Sequence, residues 1–180
     1  QDNLNWVGPS RTFTKEGIVN SDWINVGGGD GFSCVFDPND PNVVYAESQE
    51  GELHRFNLGS GAMKTLKPEP NEGQPRFRFH WNAPLIGSIH EPGVLYLGGN
   101  RVFRFVEKGE LWSTISPDLT AKISDRLEAG GSGAETYGIV YTLSESPVKK
   151  GMLWAGTDDG NVWVTENEGK DWTDLTGLLP

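Results

Sequence analysis

The sequence predicts an all-β protein of repeated four-stranded antiparallel units, and three observations carry that prediction. Long helical periodicity is nearly absent: only 121–129 spaces its apolar residues as a helix would, and weakly. Short β-branched and aromatic runs alternate with clusters of Gly, Pro, Asn and Asp; Gly alone supplies 24 of 180 residues, nearly twice the usual roughly 7%. One pattern also recurs: two aliphatics, an aromatic, then a short polar or Gly turn. It stands at Val43-Val44-Tyr45-Ala46-Glu47, Val94-Leu95-Tyr96-Leu97-Gly98 and Met152-Leu153-Trp154-Ala155-Gly156.

The repeat sets the unit size. Tyr45 and Tyr96 are 51 residues apart, Tyr96 and Trp154 are 58 apart, and Trp112 and Trp172 are 60 apart. Four strands in about 50–60 residues match one blade of a β-propeller. Residues 1–27 then give the outer half of a blade, with strands near Trp6–Thr12 and Trp23–Val26. Residues 28–68 form the first full blade: the proline turn at Asp37-Pro38-Asn39-Asp40-Pro41 precedes one strand, and Glu52–Phe56 follows it. After the connection 69–75, a second blade spans 76–120, with the turn His90-Glu91-Pro92-Gly93 and a strand at Arg101–Phe105. The connection 121–133 contains Gly130-Gly131-Ser132-Gly133 and is expected to be flexible or to lie over a face. A third blade spans 134–180, with a turn from Ser146-Pro147 to Gly151 and a strand at Asn161–Thr165. Trp23, Trp112 and Trp172 open successive outer strands. About three and a half blades cannot close a ring, so the expectation is part of a longer propeller chain, with assembly of several copies as the other solution.

Composition excludes several classes of partner. The formal charge of −10 disfavours a nucleic-acid backbone, and no apolar run reaches the roughly 18 residues of a membrane helix. One cysteine permits no internal disulfide and no Cys-rich zinc site; Cys34 itself reads as a small buried residue of an inner strand. His54, His80 and His90 are scattered, and Asp158-Asp159-Gly160-Asn161 lacks the spaced calcium-loop pattern and reads as a hairpin turn. Gly27-Gly28-Gly29 reads as the start of a strand with no helix to receive a phosphate. No metal and no cofactor are expected.

Thr165-Glu166-Asn167-Glu168-Gly169-Lys170-Asp171-Trp172 resembles the Asp-box, or bacterial neuraminidase repeat, of the form Ser/Thr-x-Asp/Asn-x-Gly-x-x-Trp. Its logic is local: Asn167 bonds turn amides, Gly169 takes a positive φ and Trp172 packs beneath the hairpin. On that reading Trp172→Ala costs about 3–5 kcal/mol if the ring is buried. Val106-Glu107-Lys108-Gly109-Glu110-Leu111-Trp112 is a degenerate copy, and Asn57-Leu58-Gly59-Ser60-Gly61 has lost the motif. Trp6-Val7-Gly8-Pro9-Ser10, Gly27-Gly28-Gly29-Asp30-Gly31-Phe32, Gly98-Gly99-Asn100-Arg101-Val102-Phe103, Ile115-Ser116-Pro117-Asp118-Leu119-Thr120 and Gly156-Thr157-Asp158-Asp159-Gly160 are similar to exported bacterial propellers with sialidase-like repeats. Those stand beside the sortilin-type propeller and the family-74 xyloglucanases. The resemblance implies an extracellular or periplasmic protein and leaves activity open, since the Asp-box serves enzymes and receptors alike.

Propeller ligands usually meet the face where outer-to-inner connections and the second-to-third strand turns converge. The approaches to the inner strands carry Asp30 and Phe32, then Arg78, His80, Trp81 and Asn82, then Glu135 and Tyr137. The turns carry Glu47-Ser48-Gln49-Glu50, Arg101 and Asp158. Asp30 and Glu135 are the candidate catalytic pair, because two carboxylates can hydrolyse a glycoside as acid and nucleophile or base. Acidic groups rimming a solvated channel are the plainer reading of both. Phe32, Trp81 and Tyr137 suit either stacking on a sugar or peptide, or filling the gap between blades. Arg76, Arg78 and Arg101 invite comparison with the arginine triad of sialidases, yet no Tyr/Glu nucleophile pair accompanies them. The reading is a non-catalytic platform for a protein, peptide or polysaccharide ligand; the alternative is part of a xyloglucanase-like or β-glucanase-like glycoside hydrolase.

Overall fold

A computed structural model describes residues 2–122, 127 and 136–178. Among them β1 (Asn5–Val7) and β2 (Ile24–Gly27) pair as a two-stranded sheet. Three four-stranded sheets follow. The first holds β3 (Gly31–Asp37), β4 (Asp40–Ser48), β5 (Glu52–Asn57) and β6 (Met63–Thr65). The second holds β7 (Leu85–Gly87), β8 (Leu95–Gly98), β9 (Val102–Val106) and β10 (Leu111–Thr114). The third holds β11 (Val140–Glu145), β12 (Leu153–Thr157), β13 (Val162–Thr165) and β14 (Thr173–Asp174). Every pairing is antiparallel and spatial order follows chain order. The chain is all-β, as the sequence predicts, and its sheets are blade-like. Most of 121–129, and all of 130–133, lie outside the described residues.

The sheets stack face to face: β3 lies beside β7, and β11 lies against β7 and β8. This stacking explains why the strands read as continuous apolar runs. Along β8, Leu95 and Leu97 turn to the first sheet while Tyr96 turns to the third, because successive side chains leave a strand on opposite faces. Val43, Tyr45 and Leu53 meet Leu95, Leu97, Phe103 and Phe105 in one seam. Val94, Tyr96 and Val102 meet Leu143, Leu153 and Ala155 in the next. The recurring aromatic thus has one job: Tyr45 and Tyr96 are 0% and 1% exposed, each filling the seam that follows its own sheet. Trp154 holds the same register but is 39% exposed, since no described sheet covers that side of the third.

Two readings need correction. Cys34 is exposed rather than buried. Val35 takes the seam side of β3, so Cys34 and Phe36 turn toward β1 and β2, which cover Val44 and Ala46 of β4 but leave the inner strand open. Its thiol donates to Asn5 Oδ1 at 3.3 Å. Gly27 ends β2 instead of starting a strand, and 28–30 link β2 to β3.

The Asp-box is formed as its chemistry requires. Thr165 Oγ1 accepts from Gly169 N at 3.0 Å, and Asn167 Oδ1 accepts from Asp171 N at 3.0 Å. Gly169 has φ +87°, and a Cβ there would collide with Ile115 O. Trp172 is half-buried against the second seam and donates from Nε1 to Ile115 O at 2.8 Å, tying the third sheet to the end of the second. Because the ring is only partly covered, Trp172→Ala is expected to cost about 2–3 kcal/mol, short of the value for a fully buried ring. Chemical denaturation measures it, and a variant as stable as the parent would show that the turn holds without its tryptophan. In the first sheet, Asn57 Oδ1 accepts from Gly59 N and Ser60 N, so a side-chain-capped turn survives where the motif is lost.

Candidate functional site

The turns between the second and third strands of each sheet lie on one face with the segments that lead into the inner strands. Asn100 N donates to Arg78 O, Glu50 N to Trp81 O, and Asp158 N to Ile139 O. The predicted residues on this face fall into three groups. Asp30 Oδ2 accepts from Trp81 Nε1 at 2.9 Å, while Asp30 N donates to Gln49 Oε1 at 2.7 Å. Asp30 and Trp81, read separately from the sequence, therefore form one contact across the first seam. Glu135, the partner carboxylate of the sequence reading, lies outside the described residues. His80 Nδ1 accepts from Asn82 N at 3.0 Å, and its ring meets Tyr141 edge-on at 5.0 Å. Phe32 and Tyr137 are half-buried.

Asp158 is held by the backbone. Its carboxylate accepts from Gly138 N and Ile139 N at 3.1 and 2.9 Å, fixing the approach to β11. The turn around it is a tight hairpin with Gly160 at φ +94°. No group of three or more His, Cys, Asp or Glu among the described residues could hold a metal ion.

The third group surrounds a cleft of about 430 Å3 at the turn end of the second sheet, between the approach to β7, the β8–β9 turn and the segment after β10. Arg78 closes its floor. The guanidinium donates to Asp118 Oδ2 at 3.2 Å, Thr120 Oγ1 at 3.1 Å and Gly138 O at 3.1 Å. Asn100 Nδ2 adds a bond to Asp118 at 2.9 Å. Burial alone would raise the Asp118 pKa; the bonds from Thr120 and Asn100, with the Arg78 charge, outweigh it and hold the carboxyl below its ordinary value. The Arg78–Asp118 pair is thus ionised and internally neutral. Arg76, Arg101 and Lys122 line the same cleft beside Pro75 and Phe77. Of the predicted arginines, Arg78 is structural, while Arg76 and Arg101 face the opening. Lys122 was not singled out from sequence, because its place follows from the path of the chain after β10.

Glu47 departs furthest from the sequence reading. Grouped with the turn Ser48-Gln49-Glu50, it is instead fully buried in the first seam. Its Oε1 accepts from Ala83 N at 3.3 Å, and its Oε2 has no partner among the described residues. Burial raises its pKa to about 8, against a lowering by the backbone amides of Ala83, Ser33 and Gly51.

No protein-family model and no curated protein sequence matches the chain. Solved structures do. A YCF48 structure with bound D1 peptide superposes with TM-score 0.50 at 13% identity, over 95% of this chain and 44% of that one. The GH74 xyloglucanase of Xanthomonas campestris gives 0.52 at 14%, over 83% and 23%. The GH74 enzyme of Niastella koreensis gives 0.54 at 16%, over 84% and 24%. The chain is a propeller segment by fold, and it spans less than half the length of each of these proteins. At such identities the likeness carries architecture and nothing of the chemistry.

Proposed function

We propose that this propeller segment is a non-catalytic binding platform, within an exported protein, for a protein, peptide or glycan ligand. The supporting observation is the face itself: its cleft at the turn end of the second sheet is open, and Arg76, Arg101 and Lys122 in its lining pair with no described carboxylate. Of the carboxylates singled out on this face, the two that are described are engaged, Asp30 by Trp81 and Asp158 by backbone amides. That YCF48, a propeller of similar fold, has been solved with a peptide bound supports a peptide in particular.

Peptide and glycan arrays probed with the labelled protein, alongside reducing-end assays on xyloglucan and β-glucan, test this reading. Binding without turnover is expected. Asp30→Asn keeps an oxygen for the Trp81 bond and is expected to change stability by no more than about 0.5 kcal/mol. Hydrolysis by the parent that Asp30→Asn abolishes would overturn the platform in favour of a glycoside hydrolase.

A further inference from the structure

We infer that the cleft at the turn end of the second sheet is a carboxylate-binding site, receiving an acidic side chain or the free C terminus of a peptide. The inference rests on the platform reading and names its ligand. Its starting point is a surplus of positive charge in an acidic protein. The chain carries 25 Asp and Glu against 15 Lys and Arg, so a cation here has carboxylates to spare. Eight of the described lysines and arginines sit in ion pairs. Six pair with no described carboxylate, and three of those six, Arg76, Arg101 and Lys122, converge on this one cleft.

The geometry suits a carboxylate. Arg101 donates from Nη1 to Ser116 O at 3.3 Å, a neutral acceptor that orients the guanidinium and leaves its charge uncompensated. Arg76 makes no hydrogen bond or ion pair with any described residue and is exposed at the rim. The Arg78–Asp118 pair cancels at the floor, so the described residues that line the cleft carry a surplus of three positive charges. A planar guanidinium binds a carboxylate through two parallel N–H bonds, which a lysine alone cannot reproduce. Phe77 and Pro75 offer apolar wall to the rest of a peptide side chain. The volume is near the small end for ligand pockets, enough for one or two residues and too little for a folded domain to insert.

The test uses the intact chain and NMR of arginine Nε–H and lysine side-chain signals. Four acetylated peptides serve as probes: alternating Ala and Asp with an amidated end, alternating Ala and Asn with a free end, the same Ala and Asn peptide amidated, and a phosphoserine peptide with an amidated end. At least one of the first two is expected to shift Arg76 and Arg101 saturably, and which one does so separates a side-chain carboxylate from a chain terminus. Binding should weaken about tenfold or more in the double variant Arg76→Gln and Arg101→Gln, and weaken again as salt rises from about 50 to about 500 mM. Unchanged melting of that variant shows that the fold is intact. Failure of both carboxylate peptides, tighter binding of the phosphoserine peptide, or affinity indifferent to the double variant would each overturn the inference. A neutral glycan bound elsewhere on the face would leave the platform standing while this site falls.

Discussion

Phe103→Ala is expected to destabilise the protein by about 3–5 kcal/mol, a large share of the 5–15 kcal/mol that typically holds a domain together. Phe103 lies mid-strand in β9 and is fully buried in the seam between the first and second sheets. Its ring meets Phe77 edge-on at 4.8 Å, Trp112 edge-on at 5.9 Å and Phe79 at 5.6 Å. Truncation removes the apolar area, leaves a cavity between two sheets that β9 cannot close alone, and deletes three ring contacts worth about 0.5–1.5 kcal/mol each beyond area. Phe36, on the open side of β3 at 50% exposure, is the internal control, and Phe36→Ala should stay within about 0.5 kcal/mol. Urea titration decides it. A midpoint lowered at constant slope is the expected result for Phe103→Ala, and equal effects at the two positions would contradict the seam as the main source of stability.

The seams were legible in the sequence because the repeat encodes them. Val43, Val94 and Met152 recur two residues before Tyr45, Tyr96 and Trp154, and strand alternation then assigns each side chain a neighbour. Strand ends were less legible: β1 stops at Val7 where Thr12 was expected, and Trp23 and Trp172 precede their strands. Tryptophan at those positions marks where the chain enters a sheet, and it packs as well from the turn as from the strand. The residues of the candidate face could be nominated one by one, since turns carry the side chains that strands cannot spare. Its internal bonds could not. The partner of Arg78 is Asp118, 40 residues further on, and nothing local in Arg78-Phe79-His80 names it. Glu47 was misread because it adjoins a polar turn. Its spacing held the signal: it shares the odd register of Val43 and Tyr45, which both enter the seam.

That misplaced glutamate governs the second large effect, a loss of stability as pH rises from about 5 to about 8. A fully buried carboxyl with one unpartnered oxygen is far better tolerated neutral than charged, and its pKa in the folded protein is raised to about 8 from the ordinary 4.5. Below the ordinary value both folded and unfolded chains hold the proton, and the group contributes no pH dependence. Between the two values only the folded chain holds it, so unfolding releases a proton and stability falls by about 1.4 kcal/mol per pH unit. Above about 8 both forms are ionised and the loss levels off. Asp118 and Glu91, whose pKa values are lowered, act in the opposite sense but finish titrating in the acid range. The titratable neighbour is Cys34, whose thiol is pushed up by desolvation and then by the Glu47 charge, so it ionises beyond the window. Glu47→Gln keeps the shape and the bond to Ala83 N but cannot ionise. Its stability should be nearly flat from pH 5 to pH 8, whatever constant offset the amide introduces, and should exceed that of the parent at the alkaline end. Denaturation midpoints of both proteins across this range measure the difference in slope. Parallel curves would mean that the first seam admits enough water to solvate a carboxylate, and that the inner ends of the first two sheets open more readily than their packing implies.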